Sequence, residues 1–402
     1  MLRKSLRKGR KMEKKVSLQE NKMGTMPLGK LLFNMALPIV MAMLVQALYN
    51  VVDSIFVSQI SDTDNEMTAI GLAFPVQNIM IGFATGIGVG VNSLLSKSLG
   101  ENNRENASRS AGNGIVLVGI VTVAFMLFGI FGAKPFFALQ SQTAAVVDGG
   151  SVYLGICCIF SLGIFVEVLG ERLLQASGRT IYTLFTQGTG AVLNILLDPL
   201  FISGYAPLGI PKMGIAGAAV ATVIGQWVAA ILAVVFNLTK NPDVKLGLRY
   251  LRPKGEVMGK ILAVGVPSMI MMAIGSVMTF GMNQIFLSFS DVHGQTPANV
   301  FGIYFKLQSI FLMPLFGINN ASISIVAFNY GARKPKRITK NMKCAFGAAL
   351  VIMLLGCAVF QLIPDKLMGI FGGSGDENAA ALVDMGVVAM RIVSIHFPIA
   401  AV

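Results

Sequence analysis

Long apolar runs recur along this chain, and they limit its fold before any motif is considered. Ten such segments lie near 31–58, 67–96, 111–132, 146–170, 181–203, 214–238, 261–289, 298–328, 342–363 and 379–402. Most reach the roughly 20 residues an α-helix needs to cross the hydrocarbon core of a bilayer. No water in that core can bond a free backbone group, so only helices and closed barrels span it. Runs of this length predict helices, and the fold class is an all-α polytopic membrane protein. Composition agrees: 13% of residues are charged, against about 25% in soluble domains.

A net charge of +13 raises the possibility of nucleic-acid binding, but the positions of the charges exclude it. Twenty-seven of the 32 Lys and Arg fall in the N-terminal tail and in alternate gaps between apolar runs. The remaining gaps hold only Lys134, Lys212 and Lys366, while Lys306 and Arg391 fall inside segments. This is the positive-inside pattern, which predicts a cytoplasmic N-terminus. Residues 1–30 carry ten Lys and Arg and no apolar stretch of signal length, so they read as a basic cytoplasmic tail. Cys157, Cys158, Cys344 and Cys357 lie in or beside apolar segments at no metal or redox spacing, and read as small packing residues.

The chain partly repeats itself. At an offset of 231, Gly71, Phe74, Gln77 and Ile79 match Gly302, Phe305, Gln308 and Ile310. Gly86, Ile87, Ser93 and Gly100 match Gly317, Ile318, Ser324 and Gly331 at the same offset. Pro38 matches Pro267 at 229, and Asp53 aligns with Asn283 at 230. The repeat unit holds six spans, an even number, so both copies cross the membrane in the same sense. Parallel repeats of this kind build two-lobed transporters with a cleft between the lobes. The expected organisation is a tail 1–30, a six-helix lobe 31–238, a cytoplasmic linker 239–260 and the first four helices of a second lobe, 261–402. The last apolar segment ends with the chain, and the expectation is a second lobe lacking two spans.

Ionisable groups inside a membrane are expensive and mark function by default. Gln46, Asn50 and Asp53 share one helical face in span one. Asp198 follows Asn194 by one turn in span five. Both acids lie roughly 8 Å from the outer ends of their helices. Thr222 on span six reaches a similar level, and Tyr153 on span four is a further candidate at that depth. Two carboxylates at one depth in low dielectric require either a shared proton or a cation between them, and Na+ is possible at Asp53, Asn194 and Asp198. Pro199 removes a backbone donor and can bend its helix beside the acid. Glu171 is expected to pair with Arg172 or Arg179. Glu167 either lines the cleft, where it would favour cations, or forms a structural salt bridge. Asn283 and Gln284 on span seven join Gln46, Asn50 and Glu167 as candidate cleft residues.

Several chemistries find no support. The glycines of GIGVG at 86–90 follow no strand and read as close helix packing. No Walker A sequence is present, His293 and His396 form no metal set, and no catalytic constellation is visible, so the chain is not expected to be an enzyme.

Four stretches together resemble the MATE (multidrug and toxic compound extrusion) family: LPIVMAMLVQALYNVVDSIFV, GIGVGVNSLLSKSLGENNRENA, NILLDPLFISGY with GIAGAAVATVIGQ, and GIYFKLQSIFLMPLFGINNASISIVAFNYGARK. The last is most similar to the bacterial MepA-like branch. The resemblance implies two six-helix lobes, rocker-switch alternating access, and export of cationic or amphiphilic drugs in exchange for H+ or Na+. It also implies a first-lobe cation site at Asp53, Asn194 and Asp198, with Thr222 and, less closely matched, Tyr153. It implies no cofactor, no nucleic-acid partner, contact with membrane lipids, a monomer, and a place in the bacterial cytoplasmic membrane. An acid that another branch carries on span seven is missing around Gly275, which favours coupling through the first lobe. A flippase for lipid-linked precursors, from the same superfamily, or a non-transporting fragment is the alternative.

Overall fold

The computed structural model describes residues 21–60, 64–204, 209, 211–288, 296–369 and 377–401. Ten helical rods follow one another, and no strand occurs among the described residues. They are α1 Leu28–Ile60, α2 Asp64–Gly100 and α3 Arg104–Leu127, which continues through a π-turn at Phe128–Gly132 into Ala133–Ala138. Next come α4a Ala144–Ile159 with α4b Leu162–Ala176, then α5 Ile181–Ile202 and α6 Ile215–Lys240. The second half holds α7 Gly255–Ser288, α8 Thr296–Gly331, α9 Pro335–Leu362 and α10 Glu377–Val393, which tightens at Ser394–His396 before Phe397–Ala400. Among the described residues, eight helices are long and apolar enough to cross a membrane, and the bent pair α4a–α4b makes a ninth. The remaining rod, α5, has 22 residues. It carries Gln187, Asn194 and Asp198.

Span four, expected as one helix, is broken. Its halves meet at 44°. The break falls at Phe160–Ser161, where the indole N–H of Trp227 donates to the Phe160 carbonyl at 3.3 Å. A side chain that takes a helical carbonyl is a recognised cause of a sharp kink. Sequence periodicity gave no warning, because the partner lies 67 residues away on α6.

Short loops hold the rods antiparallel. Gly178, with φ of +79°, lets the chain leave α4b. The Arg179 N–H then donates back to the Leu174 carbonyl at 2.8 Å, and the Gly178 N–H to Gln175 at 2.9 Å. The loops at 101–103, 177–180, 241–254 and 332–334 gather at one end of the bundle, here the basic end.

The internal repeat reappears as paired contacts across the interface of the two halves. A Cβ on Gly86 of α2 would lie 2.3 Å from Met269 Cγ of α7, and one on Gly317 of α8 would lie 2.4 Å from Val40 Cγ2 of α1. Gly86 and Gly317 are repeat mates, and so are Val40 and Met269. Toward the basic end, Gly100 faces the Phe328 carbonyl at 1.9 Å and Gly331 faces the Lys97 carbonyl at 2.1 Å, measured from the same constructed Cβ. These residues are also related by the offset of 231. A pseudo-two-fold axis therefore runs between α2 and α8. Gly90 against the Ile261 carbonyl, at 2.1 Å, and Gly265 against the Gly86 carbonyl, at 2.6 Å, close the same seam. Only glycine permits such an approach. At Gly82 the constructed Cβ meets Met272 at an ordinary 3.8 Å, and at Gly71 and Gly281 nothing described lies within 4 Å. Among the described residues, the close glycine contacts between the halves thus lie on the basic side.

Candidate functional site

α5 and α6 are drawn together by another glycine pair: a Cβ on Gly225 would lie 2.9 Å from the Gly190 carbonyl. One turn further along α5, this approach puts Asn194 against Thr222. The far end is fixed by the incoming loop, where the Met213 N–H donates to Phe201 at 3.0 Å and the Gly214 N–H to Ile202 at 3.1 Å.

Asp198 is 0% exposed and Asn194 3% exposed. The Asn194 amide donates to Asp198 Oδ2 at 2.7 Å, while its oxygen accepts from the Thr222 backbone N–H at 3.1 Å and hydroxyl at 3.2 Å. The opposite amide orientation would face oxygen with oxygen and N–H with N–H, so the network selects this one. Three of the predicted residues therefore form one polar knot in an apolar wall. α5 continues unbroken through Pro199 to Ile202.

Tyr153 is buried on α4a, where its hydroxyl accepts from Gln77 Nε2 of α2 at 3.2 Å. Gln77 also reaches Cys157 Sγ at 3.6 Å. Sequence reasoning singled out Gln77 only as a repeat identity and missed this role. Its repeat mate Gln308 makes a matching contact, 3.1 Å to His396 Nε2 on α10. The paired glutamines were the available signal.

α1 packs along α5, and Asp53 belongs to its backbone course. The side chains of Asn50, Asp53, Asn283, Gln284 and Lys306 lie outside the described residues, as does His293. Gln46 is exposed and Glu167 half-buried. The expected Glu171–Arg pair is not formed. Glu171 is buried and accepts from Thr186 Oγ1 at 2.7 Å and Gln187 Nε2 at 2.9 Å, both on α5. Arg172 turns to Gln175 at 3.0 Å, and Arg179 pairs with Asp243 at 2.8 Å. Rotation of α5 against α4b presents a hydroxyl and an amide to the acid before either arginine.

Comparison with known proteins identifies this architecture. The MatE family model matches residues 38–200 and 267–402. A "Multidrug export protein MepA" of Staphylococcus saprophyticus subsp. saprophyticus is 23% identical over 365 residues, covering 90% of this chain and 76% of that protein. A "FAD transporter" of Shewanella oneidensis is 23% identical over 337 residues, covering 84% and 71%. The fold is that of a MATE protein crystallised with MaL6, with a TM-score of 0.87 at 24% identity over 96% of this chain and 83% of the other. A MATE family transporter solved in an outward-facing conformation scores 0.86 at 24% identity, covering 96% and 82%. With the family model spanning most of both repeat copies, the chain belongs to the MatE family.

Proposed function

We propose that this protein is a cation-coupled antiporter that exports cationic or amphiphilic drugs from bacteria, with H+ or Na+ as the coupling ion. The observation that carries the reading is the fully buried Asp198, held by Asn194 and through it by Thr222. A carboxylate buried in an apolar wall is costly, and a proton or a bound cation lowers that cost. Asp53, on a helix that packs along α5, supplies the second acid of the proposed ion site. Na+ would be held by Asp53, Asn194 and Asp198.

The basic end is cytoplasmic in this reading, and the described arrangement faces outward. Loading the ion from outside changes the charge at Asp198 and relieves the need to hold α1, α5 and α6 as they are. The lobes then rock about the pseudo-two-fold axis and open the basic side. Drug enters a cleft that Gln46, Asn50, Glu167, Asn283 and Gln284 help to line. The protein sits in the cytoplasmic membrane as a monomer and needs no cofactor.

Ethidium efflux from liposomes under an imposed proton gradient, or separately a sodium gradient, tests this. We expect one gradient to drive efflux and Asp198→Asn to reduce it by about two orders of magnitude, as loss of a group that acts through its charge does. Full exchange in the variant would overturn the mechanism. FAD-loaded liposomes form a second arm, because a FAD transporter is among the relatives; FAD release without ethidium release would overturn the substrate class.

A further inference from the structure

Each half of the molecule is preceded by a segment that docks on the other half, at the basic end. The linker before α7 lies on α3, where the Lys245 N–H donates to Ser108 Oγ at 2.9 Å and the Lys254 N–H to Asn113 Oδ1 at 2.7 Å. The segment before α1, residues 21–26, lies on α8 and α9. There Asn329 Nδ2 donates to the Met23 carbonyl at 3.1 Å, and Arg337 Nη2 to the Met23 and Met26 carbonyls at 3.2 and 2.8 Å. Lys334 Nζ donates to the Gly24 carbonyl at 3.0 Å. Arg337 is itself steadied by Asn329 Oδ1 at 3.0 Å, and Met23 is fully buried. On its other flank the segment touches the first half: a Cβ on Gly178 would meet Lys22 Cε at 3.1 Å. Residues 21–26 therefore stitch α8–α9 to the α4b–α5 loop in this arrangement, in which the basic side is sealed.

The two straps differ in the acids beside them. At the first, Asp243 bridges Arg104 and Arg179, Glu105 holds Arg109 and Glu101 holds Lys97, while Lys240, Lys245, Arg252 and Lys254 are exposed with no ion-pair partner among the described residues. Around residues 21–26, Lys30, Arg333, Lys336, Lys340 and Lys343 are exposed, and among the described residues none has an ion-pair partner. The same strap is preceded by residues 1–20, which carry eight Lys and Arg against two Glu. Unpaired basic clusters beside membrane helices are the groups that anionic headgroups attract.

We propose that residues 21–26 are a latch for the sealed basic side, and that anionic phospholipid headgroups set it by holding the exposed α8–α9 basic patch beside it at the membrane surface. The lipid is a modulator of the switch and takes no part in drug or ion binding. The inference rests on the alternating-access reading only in requiring two lobe arrangements; it does not require that drug or coupling ion be identified.

The test is a distance measurement on the full chain. Spin labels go on Asn106→Cys and Met342→Cys, one exposed site on each half, with the four native cysteines replaced by alanine. Vesicles contain phosphatidylcholine alone or with about a third phosphatidylglycerol. We expect phosphatidylglycerol to raise the ratio of short to long distances about tenfold, the effect of one or two further basic residues held at an anionic surface. High salt should erase the gain. Arg337→Gln should lower the short-distance population in both lipids. Because that variant can misfold, a second one replaces the exposed Arg333, Lys336, Lys340 and Lys343 by glutamine. It should keep the short distance but lose the lipid response. An unchanged ratio on adding phosphatidylglycerol to the unmodified chain, or an equal response in the glutamine variant, would overturn the proposal. Lost efflux with an intact lipid response would instead count against the antiporter reading and leave the latch standing.

Discussion

At the scale of single residues, the molecule concentrates cost at a few points. Asp198 is one, and its neighbours show how a carboxylate is made tolerable without an arginine: an amide in contact, anchored in turn by a hydroxyl and a backbone N–H. Lys22 is another. Burial, and secondarily the Arg179 guanidinium beside it, hold its ammonium below the ordinary value near 10.5. The docked strap thus binds fewer protons than the free one in the window between that lowered value and 10.5. Docking should strengthen as pH rises through this window and be weakest on its acidic side. A spin label on the exposed Thr25→Cys should become more immobile with rising pH, and Lys22→Met should be immobile already at neutral pH with the dependence gone. The two members of the Asn194–Asp198 pair could be read from sequence because helical spacing alone puts them on one face. Partners such as Gln77 for Tyr153, or Thr186 for Glu171, could not, since they depend on how two helices are rotated against each other.

At the scale of elements, the apolar runs located every rod, and errors arose where tertiary contacts outweigh local pattern. The helices overrun their apolar cores: α2 extends from Asp64 to Gly100 and α8 from Thr296 to Gly331, beyond the predicted 67–96 and 298–328. Flanks such as Leu99–Gly100 stay helical because they pack on the other half. The break in α4 was invisible because no proline marks it, whereas Pro199, which did draw attention, lies in a helix that continues through it. The glycines of α2 were read as packing residues, and the seam explains why they must be glycine. Gly90→Val would force its side chain into the Ile261 carbonyl, at a cost of about 1–3 kcal/mol to the sealed arrangement alone. Ser324 is buried in that seam, bonded to Asn92 Oδ1 at 2.9 Å. In the Gly90→Val background, Ser324→Cys should react with a maleimide applied from the basic side; in a Gly119→Val control, where the added Cβ meets nothing within 4 Å, it should stay protected.

At the scale of the whole molecule, two cross-docked straps and one glycine seam join halves that partly repeat each other in sequence. The repeat was legible from eight identities, but the straps were not, because their anchors are backbone groups, N–H in one and carbonyl in the other, that any sequence offers. Asp243 is the hub of the strap before α7, 2.8 Å from Arg179 and 3.3 Å from Arg104. Asp243→Asn should lower stability by about 1–2 kcal/mol, the worth of a half-screened bridging pair, seen as a fall in melting temperature in detergent. Glu256→Gln, which removes a fully exposed pair with Lys260, should leave it unchanged.

The seam also bears on how readily the two halves can separate. Large aliphatic side chains meeting across it would cling, because parting them would expose oil to water. Glycine Cα atoms and peptide carbonyls have little such penalty, since water takes up the released carbonyls as soon as they separate. The glycine contacts therefore shut by shape, while adhesion comes from the aliphatic clusters beside them, which hold Ile87 with Ile261 and Ile39 with Ile318. Opening has to work against those clusters and not against the glycines.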